Sequence, residues 1–456
     1  MSAAETITSI PSSSLESFKT GIGFGVGALG MAVVLNTSAG LLAPFMTNFL
    51  GINASTVALL FLASKLYDMV TDPLMGIVSD RTKSRWGRRR PYLLIGGILS
   101  AIGFALLFTP PDFESQTSLV VYMLLVLLLL YSGYTVFNIP YLAMPAEMTQ
   151  SYHGRTVLMT YRMTFVMIGS LLATGSFALV QWLGNDLQAH SLVGLVFALV
   201  VIITSVFCFV GTAYANQTAV TTHSYSIGEQ VQTAFQNRPL LLLLGAKLCQ
   251  LVGFTSISAT GVYFNVVILQ VDYQITSAYL MATSVAVLAA LPFWNFVSKR
   301  SDKRLVYMVC VTCYALVALT WLFASSDDPL SHLFIRGMVL GFFGAGVLAM
   351  GPAMLPDVIE FDFLRTGIRR EGIIAAFYTT IEKLSYAIGP SIILLLLDQF
   401  GFQSGTSGLD IKQPESAIAA IYLGAAVVPS VLYVISLIFL VRYDLSEEKL
   451  IKMRSA

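Results

Sequence analysis

The chain has 456 residues, 56% of them hydrophobic and only 11% charged, and its 26 Lys plus Arg and 25 Asp plus Glu leave a formal net charge of +1. A soluble domain carries about 25% charged residues, and a mean hydropathy of +0.76 is too apolar for a water-exposed surface of this size. These figures exclude a soluble enzyme, a disordered chain and a nucleic-acid binder, which needs a basic surface, and they point to a polytopic α-helical membrane protein.

Residues 1–20, beginning MSAAETITSIPSSSLESFK, are polar and lack a basic stretch ahead of an apolar core, so they read as a short soluble tail and not a signal peptide. Apolar segments of about 20 residues, the length a spanning helix needs, then follow at 21–47, 54–79, 92–109, 118–142, 157–183, 190–214, 239–270, 274–297, 305–324, 333–355, 372–398 and 416–441. Twelve spans place both termini on one side. A polar connection, 215–238, separates a first group of six (21–214) from a second (239–442), and 443–456 closes the chain as another tail.

Loop charge assigns the sides. The loop after the second segment, RTKSRWGRRR, carries Arg81, Lys83, Arg85, Arg88, Arg89 and Arg90. The other even loops carry His153 and Arg155, then Arg238, then Lys299, Arg300, Lys303 and Arg304, then Arg365, Arg369 and Arg370. The odd loops carry Asp112, Glu114, Asp186, Asp272, Asp327 and Asp328, with almost no base before Lys412. The positive-inside rule makes the even loops and both termini cytoplasmic. The halves also echo each other: VSDRTKSRWGRRRPY after the second segment resembles VSKRSDKRLVY after the eighth. A six-plus-six repeat with a central loop is the layout of a major facilitator transporter.

Cys208, Cys249, Cys310 and Cys313 sit in apolar stretches without metal spacing and read as small buried hydrophobes. His153, His190, His223 and His332 form no cluster.

An ionisable group at a helix centre costs about 2.5–3.5 kcal/mol on insertion scales, so it reads as functional by default. In segment 54–79 (KLYDMVTDPLMG), Asp68 and Asp72 lie one turn apart on one face. Two carboxylates that close repel unless a cation or proton sits between them, which makes a site for Na⁺ or H⁺. Lys65 can hold the empty site neutral, and Pro73 can free a carbonyl nearby. The alternative is a buried ion pair that fixes helix packing, but one lysine does not neutralise two acids. In segment 118–142, Tyr134, Thr135, Asn138 and Tyr141 share a face; they suit ligand contact or interhelical hydrogen bonds, and Asn138 next to Pro140 is the better ligand candidate. Arg162 in segment 157–183 offers a rigid fork of donors for hydroxyls or a carboxylate, or a partner for the Asp68/Asp72 pair. In segment 372–398, Glu382 and Lys383 point about 100° apart, so each needs a partner on another helix. Lys383 reads as facing the central cavity, towards the Asp68/Asp72 pair or the substrate, or as half of an interhelical ion pair, and Lys247 as snorkelling to the near interface.

These stretches resemble the glycoside–pentoside–hexuronide:cation symporters, the melibiose permease-like family of the major facilitator superfamily. The resemblance runs from about Gly21 to Arg442. It rests on YDMVTDPLMGIVSDRTKSRWGRRRPYLL, YTVFNIPYLAMPAEMT, QNRPLLLLLGAKL and MLPDVIEFDFLRTGIRREGIIAAFYTTIEKL, and is most specific where the aspartate pair precedes SRWGRRRP. The resemblance implies that Asp68, Asp72 and Thr135 bind the coupling cation, with Thr71 at the position of a fourth ligand, an asparagine in the melibiose permease. It implies that Arg162, Lys383, Asn138 and Tyr134, with Tyr378 and Thr379, line the substrate site. It also implies that Arg155, Asp357, Glu360 and Arg369 form a cytoplasmic gate. Departures are specific: the acids that the melibiose permease uses in helices 1 and 4 are Ala32 and Asn138 here, and its sugar-stacking tryptophan is Leu142. The galactoside specificity therefore does not carry over.

The expected protein is a multi-pass, all-α transporter of twelve helices in two six-helix bundles, in a bacterial-type inner membrane. It is expected to work as a monomer without a cofactor or nucleic-acid partner, and to couple a Na⁺ or H⁺ gradient to symport of a sugar, glycoside or uronide. An amphiphile carrier for a lysolipid or terpenoid on the same fold, and a non-transporting receptor or assembly factor, are the alternatives. No nucleophile–base pair or metal cluster suggests an enzyme.

Overall fold

A computed structural model describes residues 14–149, 152–213, 236–367, 371–405 and 412–455. Its helices are α1 (Ser14–Asn48), α2 (Ala54–Arg81), α3 (Arg90–Phe108), α4 (Gln116–Met148), α5 (Tyr152–Trp182), α6 (Leu187–Gly211), α7 (Arg238–Tyr263), α8 (Tyr273–Ser298), α9 (Lys303–Leu319), α10 (Leu330–Thr366), α11 (Glu371–Gln399), α12 (Glu415–Tyr422), α13 (Val428–Arg442) and α14 (Glu447–Ser455). A π turn, Leu423–Val427, joins α12 and α13 into one span. Twelve helical segments are long and apolar enough to cross a membrane, as the sequence predicts, and the described residues contain no strand.

Apolar composition fixes where these helices can sit, and the backbone then has to satisfy its own hydrogen bonds, which a helix does and an open strand does not. Helix ends depart most from the expected boundaries. The predicted span 333–355 is the centre of α10, which has 37 residues. At 1.5 Å per residue it is about 55 Å long, well beyond a hydrocarbon core of about 30 Å. Its extra turns carry Asp357, Glu360, Asp362 and Arg365 out of the apolar layer before Gly367 ends it in the left-handed conformation (φ 70°).

Within the first six helices, α1 packs on α5 and α6, and α3 on α4 and α6. Within the last six, α7 packs on α11 and α13, α8 on α10, and α9 on α10 and α13. Close approach needs small residues, as in other membrane bundles. A Cβ on Gly23 of α1 would lie 2.6 Å from the Gly211 backbone of α6.

The two bundles meet along α2–α11 and α5–α8. Hydrogen bonds close this seam at the odd-loop end. Thr47 bonds Tyr263 at 3.0 Å, Ser277 donates to the Thr174 carbonyl at 2.8 Å, and Ser391 donates to the Ala58 carbonyl at 3.2 Å. At the even-loop end several ion pairs join residues of the same bundle. Arg89 pairs with Asp80 at 2.8 Å and Glu147 at 3.1 Å, Arg88 pairs with Glu147, and Lys303 pairs with Asp357 at 2.7 Å.

Candidate functional site

The site begins on α2. One turn of helix separates Asp68 from Asp72, so both carboxylates project towards α4 and α11. Asp68 is almost wholly buried, with 3% of its side chain exposed, and Asp72 has 13%. Thr135 of α4 meets both: its hydroxyl lies 2.7 Å from Asp68 Oδ1 and 2.8 Å from Asp72 Oδ1. A hydroxyl has a single hydrogen and donates to one carboxylate at a time, so the two acids converge on one oxygen.

Lys383 of α11 closes this cage from the other bundle. Its ammonium pairs directly with Asp72 Oδ2 and stands 3.8 Å from Asp68 Oδ2. The sequence expectation gave the neutralising role to Lys65. Lys65 instead places its ammonium 3.8 Å from the centre of the Tyr131 ring on α4, a cation–π contact. It starts one turn ahead of Asp68 on α2, and Tyr131 is one turn ahead of Thr135 on α4. The two contacts therefore form parallel rungs between the same helices. Thr71, the fourth expected cation ligand, turns its hydroxyl back to its own helix, to the carbonyls of Tyr67 at 3.1 Å and Asp68 at 3.2 Å.

Arg162 does not pair with the aspartates. Its Nη1 lies 3.7 Å from Met163 Sδ, a weak contact, and its buried Nε has no hydrogen-bond partner among the described residues. Of its two readings from sequence, the acids' own partners remove one. Asn138 is half-buried and makes no hydrogen bond among the described residues. Tyr134 lies within electrostatic reach of Asp68 on α2, Arg162 on α5 and Tyr386 on α11. Tyr141 is fully buried and donates to the Phe24 carbonyl at 2.9 Å, which ties α4 to α1.

On α11 the 100° step separates two faces. Ile392 and Leu395 are exposed on the outer face. Thr379, Lys383 and Tyr386 lie on the opposite side, where Lys383 meets Asp72 of α2, and the Thr379 hydroxyl also donates to the Ala376 carbonyl at 3.0 Å. Tyr378 turns into the bundle and is 5% exposed. The Lys247 ammonium lies 3.3 Å from its ring centre. Lys247 also pairs with Glu382 at 2.6 Å and has 7% of its side chain exposed against 40% for Glu382. The sequence reading had Lys247 snorkelling to the interface. A carboxylate within reach on α11 is the nearer partner, so Lys247 stays in. The signal for this pair was the adjacency of Glu382 and Lys383, which demands two partners on different helices.

Of the expected gate, Asp357 is held by Lys303 at 2.7 Å, and Glu360 is half-buried on the next turn of α10. Arg369 lies outside the described residues, as does the side chain of Arg155. Among the described residues no cluster of His, Cys, Asp and Glu suits a transition metal. The oxygen cage of Asp68, Asp72 and Thr135 suits a hard monovalent cation or a proton.

Comparison with known proteins agrees with this architecture. A family model described as MFS/sugar transport protein matches residues 23–447. The isoprimeverose transporter of Lactiplantibacillus pentosus is 26% identical, covering 88% of this chain and 84% of its own. The glucuronide carrier protein homolog of Escherichia coli (strain K12) is 25% identical, covering 95% and 94%. Among solved structures, a bacterial homolog of the human lysosomal transporter Spinster superposes with a TM-score of 0.69 at 13% identity, covering 98% and 99%, a likeness of fold.

Proposed function

The chain belongs to the MFS/sugar transport protein family, the glycoside–pentoside–hexuronide:cation symporters, and from that membership we propose that it is a cation-coupled symporter of a sugar or glycoside. It is a membrane transporter, not an enzyme. The observation that carries the coupling is the Lys383 ammonium lodged among Asp68, Asp72 and Thr135, where a transported cation has the same oxygen ligands available.

In this reading, Na⁺ or H⁺ enters the cage, relieves repulsion between the aspartates and displaces Lys383 towards the adjacent cavity. There Asn138, Arg162, Tyr134 and Thr379 meet the solute, and Tyr378, under Lys247, positions α11. Each ligand then favours the binding of the other, which is coupling in the thermodynamic sense. The relatives named for isoprimeverose and glucuronide support a sugar or glycoside as the solute. The bundles divide at 215–238, the even loops and both termini face the cytoplasm, and the seam closed at the odd-loop end corresponds to a carrier open inward. Return to the outward state brings the even-loop ends together through ion pairs of Arg155 and Arg369 with Asp357 and Glu360. The carrier works as a monomer in a bacterial-type inner membrane and needs no cofactor beyond the coupling ion.

The test is uptake into proteoliposomes under imposed Na⁺ and H⁺ gradients, with a panel of sugars and glycosides. Gradient-driven accumulation of a sugar supports the proposal; accumulation of sugar that ignores both gradients contradicts the coupling.

A further inference from the structure

The bases at the even-loop end of α2 divide into two groups. Arg88 and Arg89 are held by Glu147, Arg89 also by Asp80, and Arg90 donates to the Phe209 carbonyl at the end of α6. Arg81, Lys83 and Arg85 are exposed and pair with no acid among the described residues. Arg85 lies over the ring of Trp86, 5.0 Å from its centre, and that ring is itself exposed. The loop after α8 repeats the division. Lys303 is held by Asp357, and Arg304 donates to the Leu440 and Val441 carbonyls at the end of α13. Lys299 and Arg300 are exposed and pair with no acid among the described residues. In the echo between the halves, VSDR against VSKR, Arg81 and Arg300 are equivalent.

Both arginines end an apolar stripe. On α2, Val70, Leu74, Ile77 and Val78 are exposed, and their helical spacing puts them in one column, the face this span turns to the acyl chains. Arg81 is the next position of that column and the last residue of α2. On α8, Val285, Phe293 and Phe296 are exposed in the same way. Arg300 follows one turn after Phe296, and its guanidinium lies 4.1 Å from the centre of that ring. Each arginine therefore stands where acyl chains give way to headgroups, with a column of apolar side chains leading up to it. Arg88, Arg89, Arg90, Lys303 and Arg304 already have partners in the protein. The charges left over are the ones aligned with lipid.

We propose that Arg81 and Arg300 are the centres of two equivalent sites for an anionic phospholipid, one on each bundle. The guanidinium fork takes the phosphate with two parallel hydrogen bonds. Lys83 and Arg85 add charge to the first site and Lys299 to the second, and Trp86 sits at headgroup level, where amphipathic rings are favoured. The acyl chains lie along the stripes of α2 and α8. Each base close to an anionic lipid is worth about fivefold in affinity, so a headgroup with net negative charge is held much more tightly than a zwitterionic one. α2 stands at one seam between the bundles, with α11, and α8 at the other, with α5. The two lipids thus occupy the even-loop mouths of both seams. The sites are independent of the solute and of the coupling cation.

The experiment titrates the purified full chain, in a neutral detergent, with dioleoyl phosphatidylglycerol or dioleoyl phosphatidylcholine, and counts retained lipid by native mass spectrometry. The expected result is two phosphatidylglycerol molecules bound at least about tenfold more tightly than phosphatidylcholine. Substituting Gln at Arg81, Lys83, Arg85, Lys299 and Arg300 together removes that preference, whereas Lys412→Gln, at the odd-loop end, keeps it. Glycerol 1-phosphate, which has the phosphate and no acyl chain, does not compete at the same concentration. The wild-type comparison needs no variant to fold. Equal affinity for the two lipids overturns the proposal, as does full preference in the five-base variant. Full competition by glycerol 1-phosphate assigns the bases to a soluble phosphate and overturns the lipid assignment. None of these outcomes bears on sugar symport, which the uptake assay tests separately.

Discussion

Lys383 of α11 ion-pairs with Asp72 of α2 across the seam between the two six-helix bundles. The pair is made by residues about 310 positions apart in sequence, and it places a cation of the protein's own inside the oxygen cage. In the proposed function an internal ammonium and a transported cation compete for the same carboxylates, and the site acts as a switch whose two settings differ in which cation fills it.

That competition gives the first prediction. Lys383→Met removes the internal competitor and leaves two carboxylates facing each other. At about 4 Å and an effective dielectric near 20, one charge interaction is worth about 4 kcal/mol. Even partial recovery of this lowers the Na⁺ or H⁺ concentration for half-saturation by at least about tenfold. Cation binding to purified protein, followed by calorimetry, measures it. An unchanged or weaker affinity would show that Lys383 does not compete.

Thr135 tests the cage from the other side. Its hydroxyl donates to either carboxylate but can also offer a lone pair to a cation. Thr135→Val keeps the shape and loses the oxygen; a hydrogen bond to a charged group is worth about 1.5–3 kcal/mol. The expected outcome is a loss of cation affinity of about tenfold or more in Thr135→Val and near-normal affinity in Thr135→Ser, read in the same titration.

The Lys247–Glu382 pair predicts an asymmetry in stability. Glu382 is 40% exposed and Lys247 7%, so each residue tolerates loss of its partner differently. Glu382→Gln strands a buried ammonium, a situation that costs about 3–5 kcal/mol in fully buried pairs. Lys247→Met leaves a carboxylate that water can still reach. The melting temperature in detergent is expected to fall further in Glu382→Gln than in Lys247→Met; the reverse order would contradict the burial argument.

Two glycines make a matched packing test. Gly23 has the Gly211 backbone 2.6 Å from where a Cβ would sit, whereas a Cβ on Gly261 of α7 meets nothing within 4 Å. Gly23→Ala forces α1 and α6 apart and costs about 1–3 kcal/mol. Gly261→Ala is neutral or stabilising by up to about 1 kcal/mol, because it restricts a glycine in a helix interior. Melting temperatures of the two variants check this.

Much of this was legible in the sequence because the signals are local. A spanning helix is one continuous apolar run, and loop charge is a property of neighbours, so twelve spans and the even–odd asymmetry can be read directly. The helix-period spacing of Asp68 and Asp72 likewise announces a shared face. What the sequence could not supply was pairing between distant helices. Lys65, three residues from Asp68, looks like its partner by proximity along the chain, while Lys383 facing the same acids is one of several readings until its contact with Asp72 is placed. Lys247 reads as a snorkelling residue until Glu382 is placed beside it. Arg162 offers two roles in sequence, and only the contacts of the aspartates with Lys383 and Thr135 choose between them. Helix ends were also read short, as in α10, because polar turns beyond the bilayer carry no apolar signal.

The central claim is that Asp72, with Asp68, is where the driving cation binds. Its most direct test is Asp72→Asn in proteoliposomes, comparing uptake under imposed Na⁺ and H⁺ gradients with wild type. The account predicts that gradient-driven accumulation is lost, because an amide neither balances a cation nor holds Lys383 as an ion pair. Full gradient-driven accumulation by the variant would contradict it.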